Sequence, residues 1–284
     1  MRKFIINALK GFGMGAANVV PGVSGGTIAI LTGIYTDIVN SLDAFTAPQT
    51  WKALLSGKFR EFWKGINGNF LLALGVGIIV SVFSLAKLMT LAIGNYPILT
   101  WAFFFGLILA SAAIMFTDVK KWSLTDVLMV VAGAVIAVVV CTLSPTETPD
   151  TPLMLFLSGA IAICTMILPG VSGSFVLLIM GKYNDIMEAI STMNIPVLAY
   201  FGIGCVVGIL AFAKLLHWLL QRWEKPTMLF LLGFVLGSLV KVWPWNDMSL
   251  VTDGNLQIPG AIICCIAGIA LVAGLNYLGK KNNR

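Results

Sequence analysis

Apolar residues run through this chain in long blocks separated by short polar connections, and the blocks are too long for strands. From residue 69 onward six of them, 69–92, 98–117, 125–143, 196–220, 227–243 and 258–278, approach the ~20 residues that cross a bilayer as helix. Ahead of each trio lies a less regular apolar block, 4–43 and 152–191. Each is broken near its middle by one phrase, VPGVSGG at 20–26 and LPGVSGS at 168–174. Proline cannot donate a backbone hydrogen bond and pushes the preceding residue out of helix. Glycine permits the dihedrals of a tight reversal, and Ser24 and Ser172 suit the N-caps of the helices that follow. The pattern predicts helix, break, helix, with arms of roughly 12 to 18 residues, short for a crossing. We read each block as a re-entrant helical hairpin with its tip near the midplane.

The phrase belongs to a longer duplication. PGVSGGTIAILTGIYTDI (21–38) lies over PGVSGSFVLLIMGKYNDI (169–186) at an offset of 148, and LALGVGIIVSVFSLAKLM (72–89) over AYFGIGCVVGILAFAKLL (199–216) at 127. FGLILAS (105–111) then lies over LGFVLGS (232–238) at 127 as well. The first repeat spans 1–143 and the second 152–284. The first alone carries an insertion, in which Trp51, Leu55, Phe59, Phe62 and Ile66 recur at helical spacing opposite Lys52, Ser56, Arg60 and Lys64. That segment, 49–66, is expected to be an interfacial amphipathic helix attracted to anionic lipid.

Charge orients the chain. Lys and Arg fall in the N-terminus, in 44–68, in the turns 118–124 and 221–226, and in the C-terminal tail. The connections 93–97, 144–151, 192–195 and 244–257 contain none. If each hairpin leaves on the side it entered, every basic connection lies on one face of the membrane, so both termini are expected to be cytoplasmic. Three spans per repeat is an odd number, so the second repeat enters from the opposite face. The expected fold is therefore an all-α polytopic inverted repeat, each half a re-entrant hairpin plus three transmembrane helices.

Composition agrees: 58% of residues are hydrophobic and 11% charged, against about 25% charged in soluble domains. The formal charge of +6 is spread over connections rather than gathered in a nucleic-acid footprint. The five cysteines lie in apolar runs without ligand spacing, so neither a metal nor a cofactor is expected. The N-terminal apolar run is interrupted by Asn7, Lys10 and glycines, so it is expected to stay in the mature fold rather than be removed as a signal peptide.

The candidate chemistry sits at the breaks. Two helix N-termini converging at the midplane from opposite leaflets would suit an anion such as phosphate or carboxylate. Lys87 and Lys214, equivalent under the duplication, are candidate cations for it, set against snorkelling to the headgroups. Asp37 and Asp185 are candidates for coupling to protons or sodium, set against local pairing at the interface. Lys182 and Glu188 lack charged counterparts, so symmetry does not support them, and His217 reads as a lone interfacial histidine.

The stretch GMGAANVVPGVSGGTIAILTGIYTDIV with the second copy PGVSGS resembles the bacterial polyprenyl-phosphate transporter family over nearly the whole chain. The resemblance implies translocation of undecaprenyl phosphate from the outer to the inner leaflet of the bacterial cytoplasmic membrane, recycling the carrier lipid of cell-wall synthesis. It extends residue by residue to Pro21, Gly22, Ser24 and Gly25 and to Pro169, Gly170, Ser172 and Gly173. Gly26 and Ser174 differ at the matched position, so the two tips need not be equivalent. Three rivals stand against it: an ion-coupled carrier of a small soluble anion, a membrane enzyme such as a polyprenyl-pyrophosphate phosphatase, and a structural scaffold, which does not explain paired broken helices. One histidine and no intramembrane acidic cluster argue against the phosphatase. No GxxxxGK[ST] motif is present, so an ion gradient or downhill movement is the expected driving force.

Overall fold

The computed structural model describes residues 2–19, 24–117, 119, 121–146, 148–246 and 256–282, with backbone alone at 19, 86, 87, 90 and 275–282. Among these residues the chain is helical without strands. In order come α1 (Arg2–Val19), α2 (Gly25–Leu31), α3 (Tyr35–Asp43), α4 (Pro48–Leu55), α5 (Phe59–Gly65), α6 (Gly68–Asn95) and α7 (Pro97–Thr117). Then follow α8 (Leu124–Thr142), α9 (Pro152–Ile167), α10 (Gly173–Ile179), α11 (Tyr183–Ser191), α12 (Ile195–Ser238) and α13 (Ile258–Asn282). Four of these, α6, α7, α8 and α12, contain stretches long and apolar enough to cross a membrane.

Several boundaries depart from the sequence reading. The arm after each interruption is two helices, because the chain turns again at Gly33 (φ +68) and Gly181 (φ +67), a conformation glycine reaches without a Cβ penalty. Counting the 3-10 turn that extends α3, the first such pair is bent by 115°. The expected stretches 196–220 and 227–243 lie in the run α12 as two helical segments separated by a non-helical kink at Trp223 (φ −140°, ψ 56°) just before Pro226, and the second segment ends at Ser238 rather than 243. The insertion 49–66 is two short helices that turn at Gly57 (φ +73). Leu55 and Phe59 remain exposed at that turn.

Packing divides the chain into two compact units, and these are not the two sequence repeats. One unit takes residues 1–83 and 143–227; the other takes 84–142 and 228–284. In the first unit helices meet through glycine. A side chain on Gly11 would strike the Leu74 backbone and one on Gly77 the Ala8 carbonyl, which seats α1 on α6. Gly159 against the Phe201 carbonyl and Gly204 against the Phe156 carbonyl seat α9 on α12 in the same way. All four positions correspond under the offsets 148 and 127, so the two seams are built alike. With no hydrophobic drive between helices in lipid, such close backbone approach is what small residues supply.

In the second unit helices far apart in the chain pair through glycine. Gly106 on α7 meets the Cys265 carbonyl of α13, and Gly268 on α13 meets the Phe103 carbonyl of α7. Gly133 on α8 meets the Phe230 carbonyl, and Gly233 on α12 meets the Val130 carbonyl. Thus α7 pairs with α13 and α8 with the second segment of α12.

The turn after α10 is strapped down by the connection before α9. The Thr146 N–H donates to the Ile179 carbonyl at 2.7 Å, and the Thr148 hydroxyl to the Met180 carbonyl at 2.7 Å. Lys182, only 2% exposed, donates to the Thr148 carbonyl at 2.8 Å, to Asp185 at 3.1 Å and to Asp150. In the first repeat the carbonyl equivalent to Met180, that of Thr32, accepts instead from Lys10 at 2.8 Å. The hydrogen bond from Lys182 holds the Asp150 carboxyl below the usual carboxylate range. Its contribution to the strap is therefore complete near neutral pH and is lost as pH falls through that lowered value. We expect the exchange protection of the Thr146 amide to shrink on acidification, and to shrink at neutral pH in an Asp150→Asn/Asp185→Asn variant. Unchanged protection in the variant would show that the carboxylates do not hold the strap.

Candidate functional site

Within the first unit the two interruptions touch. The Ser24 hydroxyl donates to the Leu168 carbonyl at 2.9 Å and accepts from the Gly26 N–H at 3.1 Å, so one side chain caps α2 and ties it to the other break. Ser24 is 1% exposed, and its one hydroxyl hydrogen is spent inside the protein. Gly26 lies so close to the second break that a Cβ there would sit 2.5 Å from the Ile167 carbonyl oxygen.

Ser172 stands at the matching position and behaves differently. It makes no cap bond to α10; its hydroxyl pairs with that of Ser174 at 2.8 Å. Two hydroxyls bring two hydrogens and the pair consumes one, which leaves one for a ligand. Ser174 is exposed where Gly26 is buried, so the difference at this matched position separates the two tips chemically.

Between the tips is a cavity of about 160 Å³, lined by Asn18, Ser24, Met166, Ser172, Gly173 and Ser174 among others. None of its described lining residues carries a charge. Asn18, in the last turn of α1, accepts the Gly25 N–H on Oδ1 at 2.7 Å. Under the offset of 148 its counterpart is Met166, which lines the same cavity from the end of α9. Asn18 was passed over in the sequence because it precedes the repeated phrase and its counterpart is apolar.

The other residues singled out in the sequence fall as follows. Pro169 and Gly170 are buried, with Gly170 at φ +92 in the second break. Pro21 and Gly22 lie outside the described residues, as does the side chain of Lys87 on α6. Lys214 is exposed on α12 and does not line the cavity. Asp37 is exposed in the first turn of α3, while Asp185 pairs locally with Lys182. Lys182, discounted by symmetry, is the buried cation of the strap. His217 is not alone: Nδ1 lies 2.8 Å from Asn40 Oδ1 and Nε2 lies 3.7 Å from Asp43.

Long apolar helices seated by glycine, with a small cavity lined by both polar and apolar side chains where two helix breaks touch, define a multi-pass membrane protein of the helical type. Its residues 14–257 match the model of the undecaprenyl phosphate translocase-like family, and the chain belongs to that family. It is 40% identical over 305 aligned positions to a polyprenyl-phosphate transporter of Vibrio cholerae serotype O1, covering 98% of each chain. It is 35% identical over 265 to a polyprenyl-phosphate transporter of Staphylococcus aureus, covering 87% of this chain and 88% of that one. These relatives are named as transporters, not enzymes. No solved structure matches the chain significantly.

Proposed function

We propose that this protein carries a polyprenyl phosphate, with undecaprenyl phosphate as the substrate, from the outer to the inner leaflet of the bacterial cytoplasmic membrane for reuse in cell-wall synthesis. The observation that carries the reading is the contact between the two breaks around a cavity into which Asn18, Ser172 and Ser174 bring polar groups. Broken backbone within a membrane survives only when buried in protein or lining a wet cavity, and in this reading the breaks are buried against each other beside such a cavity. A phosphate head needs such a space, whereas an isoprenoid tail can stay in hydrocarbon.

In this reading both hairpins are re-entrant and the halves form an inverted repeat. The matched glycine seams of the first unit and the pairing of α7 with α13 and of α8 with α12 in the second support that arrangement. The head sits at the tips with Ser172 and Ser174 as donors, and Ser24 holds the tips together. Rocking of one repeat against the other would open the cavity to each leaflet in turn. Lys214, exposed on α12, and Lys87 would meet the head along its route. The turned pair α4–α5, with Lys52, Lys58, Arg60 and Lys64, would rest on anionic headgroups of the cytoplasmic leaflet.

The test is a reconstituted one. Purified protein in liposomes is expected to move labelled undecaprenyl phosphate between leaflets well above the rate of protein-free vesicles. A rate equal to that of empty vesicles would end the proposal. Counterflow of soluble inorganic phosphate without lipid movement would replace it with a soluble-anion carrier.

A further inference from the structure

The two sides of the cavity differ at one matched position, Asn18 against Met166. The orientation of the Asn18 amide is set by chemistry rather than by choice. A backbone N–H can only meet an acceptor, so the atom 2.7 Å from Gly25 N is the oxygen. The pin is tight: a Cβ on Gly25 would fall 2.9 Å from both ends of that amide. The end left for a ligand is Nδ2, whose two hydrogens have no partner among the described residues. With the spare hydroxyl hydrogen of the Ser172–Ser174 pair, the cavity offers three neutral donors from its two walls.

We propose that Asn18 is the specificity-determining contact of the cavity, donating through Nδ2 to an unsubstituted oxygen of a phosphomonoester head. The assignment rests on the reading under Proposed function and deepens it. Three donor hydrogens, two on the Asn18 amide and one on the serine pair, suit a terminal phosphate, which has three unsubstituted oxygens. The phosphodiester of a bulk membrane lipid has only two, and its second ester substituent would crowd a cavity of about 160 Å³. Met166 cannot donate, so the contact belongs to the first break alone and the head is held asymmetrically.

The test uses the full-length protein in detergent and in liposomes. Asn18→Asp keeps the size of the side chain and the acceptor for Gly25 N–H, but turns the donor into an anionic oxygen. We expect it to melt close to wild type, to bind a soluble short-chain prenyl phosphate roughly tenfold or more weakly, and to transport correspondingly slowly. Short-chain phosphatidylglycerol, a phosphodiester, is expected to leave prenyl phosphate bound to the wild type. If Asn18→Asp does not yield folded protein, Asn18→Ser replaces it, retaining an oxygen near Gly25 without the amide. Wild-type transport with an equally active folded variant would overturn the role of Asn18 and leave the proposed function standing. Displacement by phosphatidylglycerol would overturn the monoester specificity. A wild type that neither binds nor moves prenyl phosphate would overturn the proposed function, and this assignment with it.

Discussion

Gly26→Ala is expected to lower thermal stability and abolish transport together. The added Cβ would lie 2.5 Å from the Ile167 carbonyl oxygen and 3.2 Å from the Leu168 carbonyl carbon. Both are backbone atoms of the opposite break, with no rotamer to swing aside. The tips must therefore separate, and the 2.9 Å bond from Ser24 to Leu168 goes with them. Overpacking of this kind costs about 1–3 kcal/mol before the lost hydrogen bond is counted. Gly202→Ala on α12 is the control, since a Cβ there meets nothing within 4 Å and alanine is the better helix former. Ser174→Gly, at the position matched to Gly26, removes one exposed hydroxymethyl group from the cavity. It is expected to weaken transport with little change in melting. Melting curves and leaflet transport on the three variants check this, and a Gly26→Ala protein that melts and transports like wild type would refute tip contact.

The second large effect separates two serines that look alike in sequence. Ser24→Ala leaves the buried Gly26 N–H without its cap and takes the donor away from the half-buried Leu168 carbonyl. Losing a cap costs about 1 kcal/mol, and an unsatisfied buried polar group about 1–3 more. Ser172→Ala loses only its bond to Ser174, because Ser172 caps nothing. We expect Ser24→Ala to fall chiefly in stability and Ser172→Ala chiefly in substrate affinity. The comparison is made by melting alongside prenyl-phosphate binding; equal losses of stability in both variants would count against the division of roles.

The repeated phrase made the breaks visible in the sequence, and the spacing of Gly11, Gly77 and their counterparts was there to be read. Their use as helix seams was not, since a glycine in an apolar run says nothing of which carbonyl it meets. Symmetry was a useful guide to position and a poor one to role. It drew attention to Lys214, which is exposed, and away from Lys182, which is buried beneath a strap. It also hid Asn18, whose importance lies in differing from Met166. The boundaries missed, at Gly33, Gly57 and Gly181, are turns set by single glycines inside runs whose apolar content continues across them.

By itself the sequence determined an all-helical membrane class, the places where helices break, and the duplication. Apolar length and helix-breaking residues act over a few neighbours, so they can be read along the chain. Only the tertiary structure decided that the breaks touch, that Ser24 joins them, and that α7 pairs with α13 and α8 with α12 in the second unit. Those outcomes depend on contacts such as Ser24 to Leu168, 144 residues apart. A hydroxyl has few bonds to give, and which partner claims them is settled by three-dimensional proximity that neither local stretch encodes.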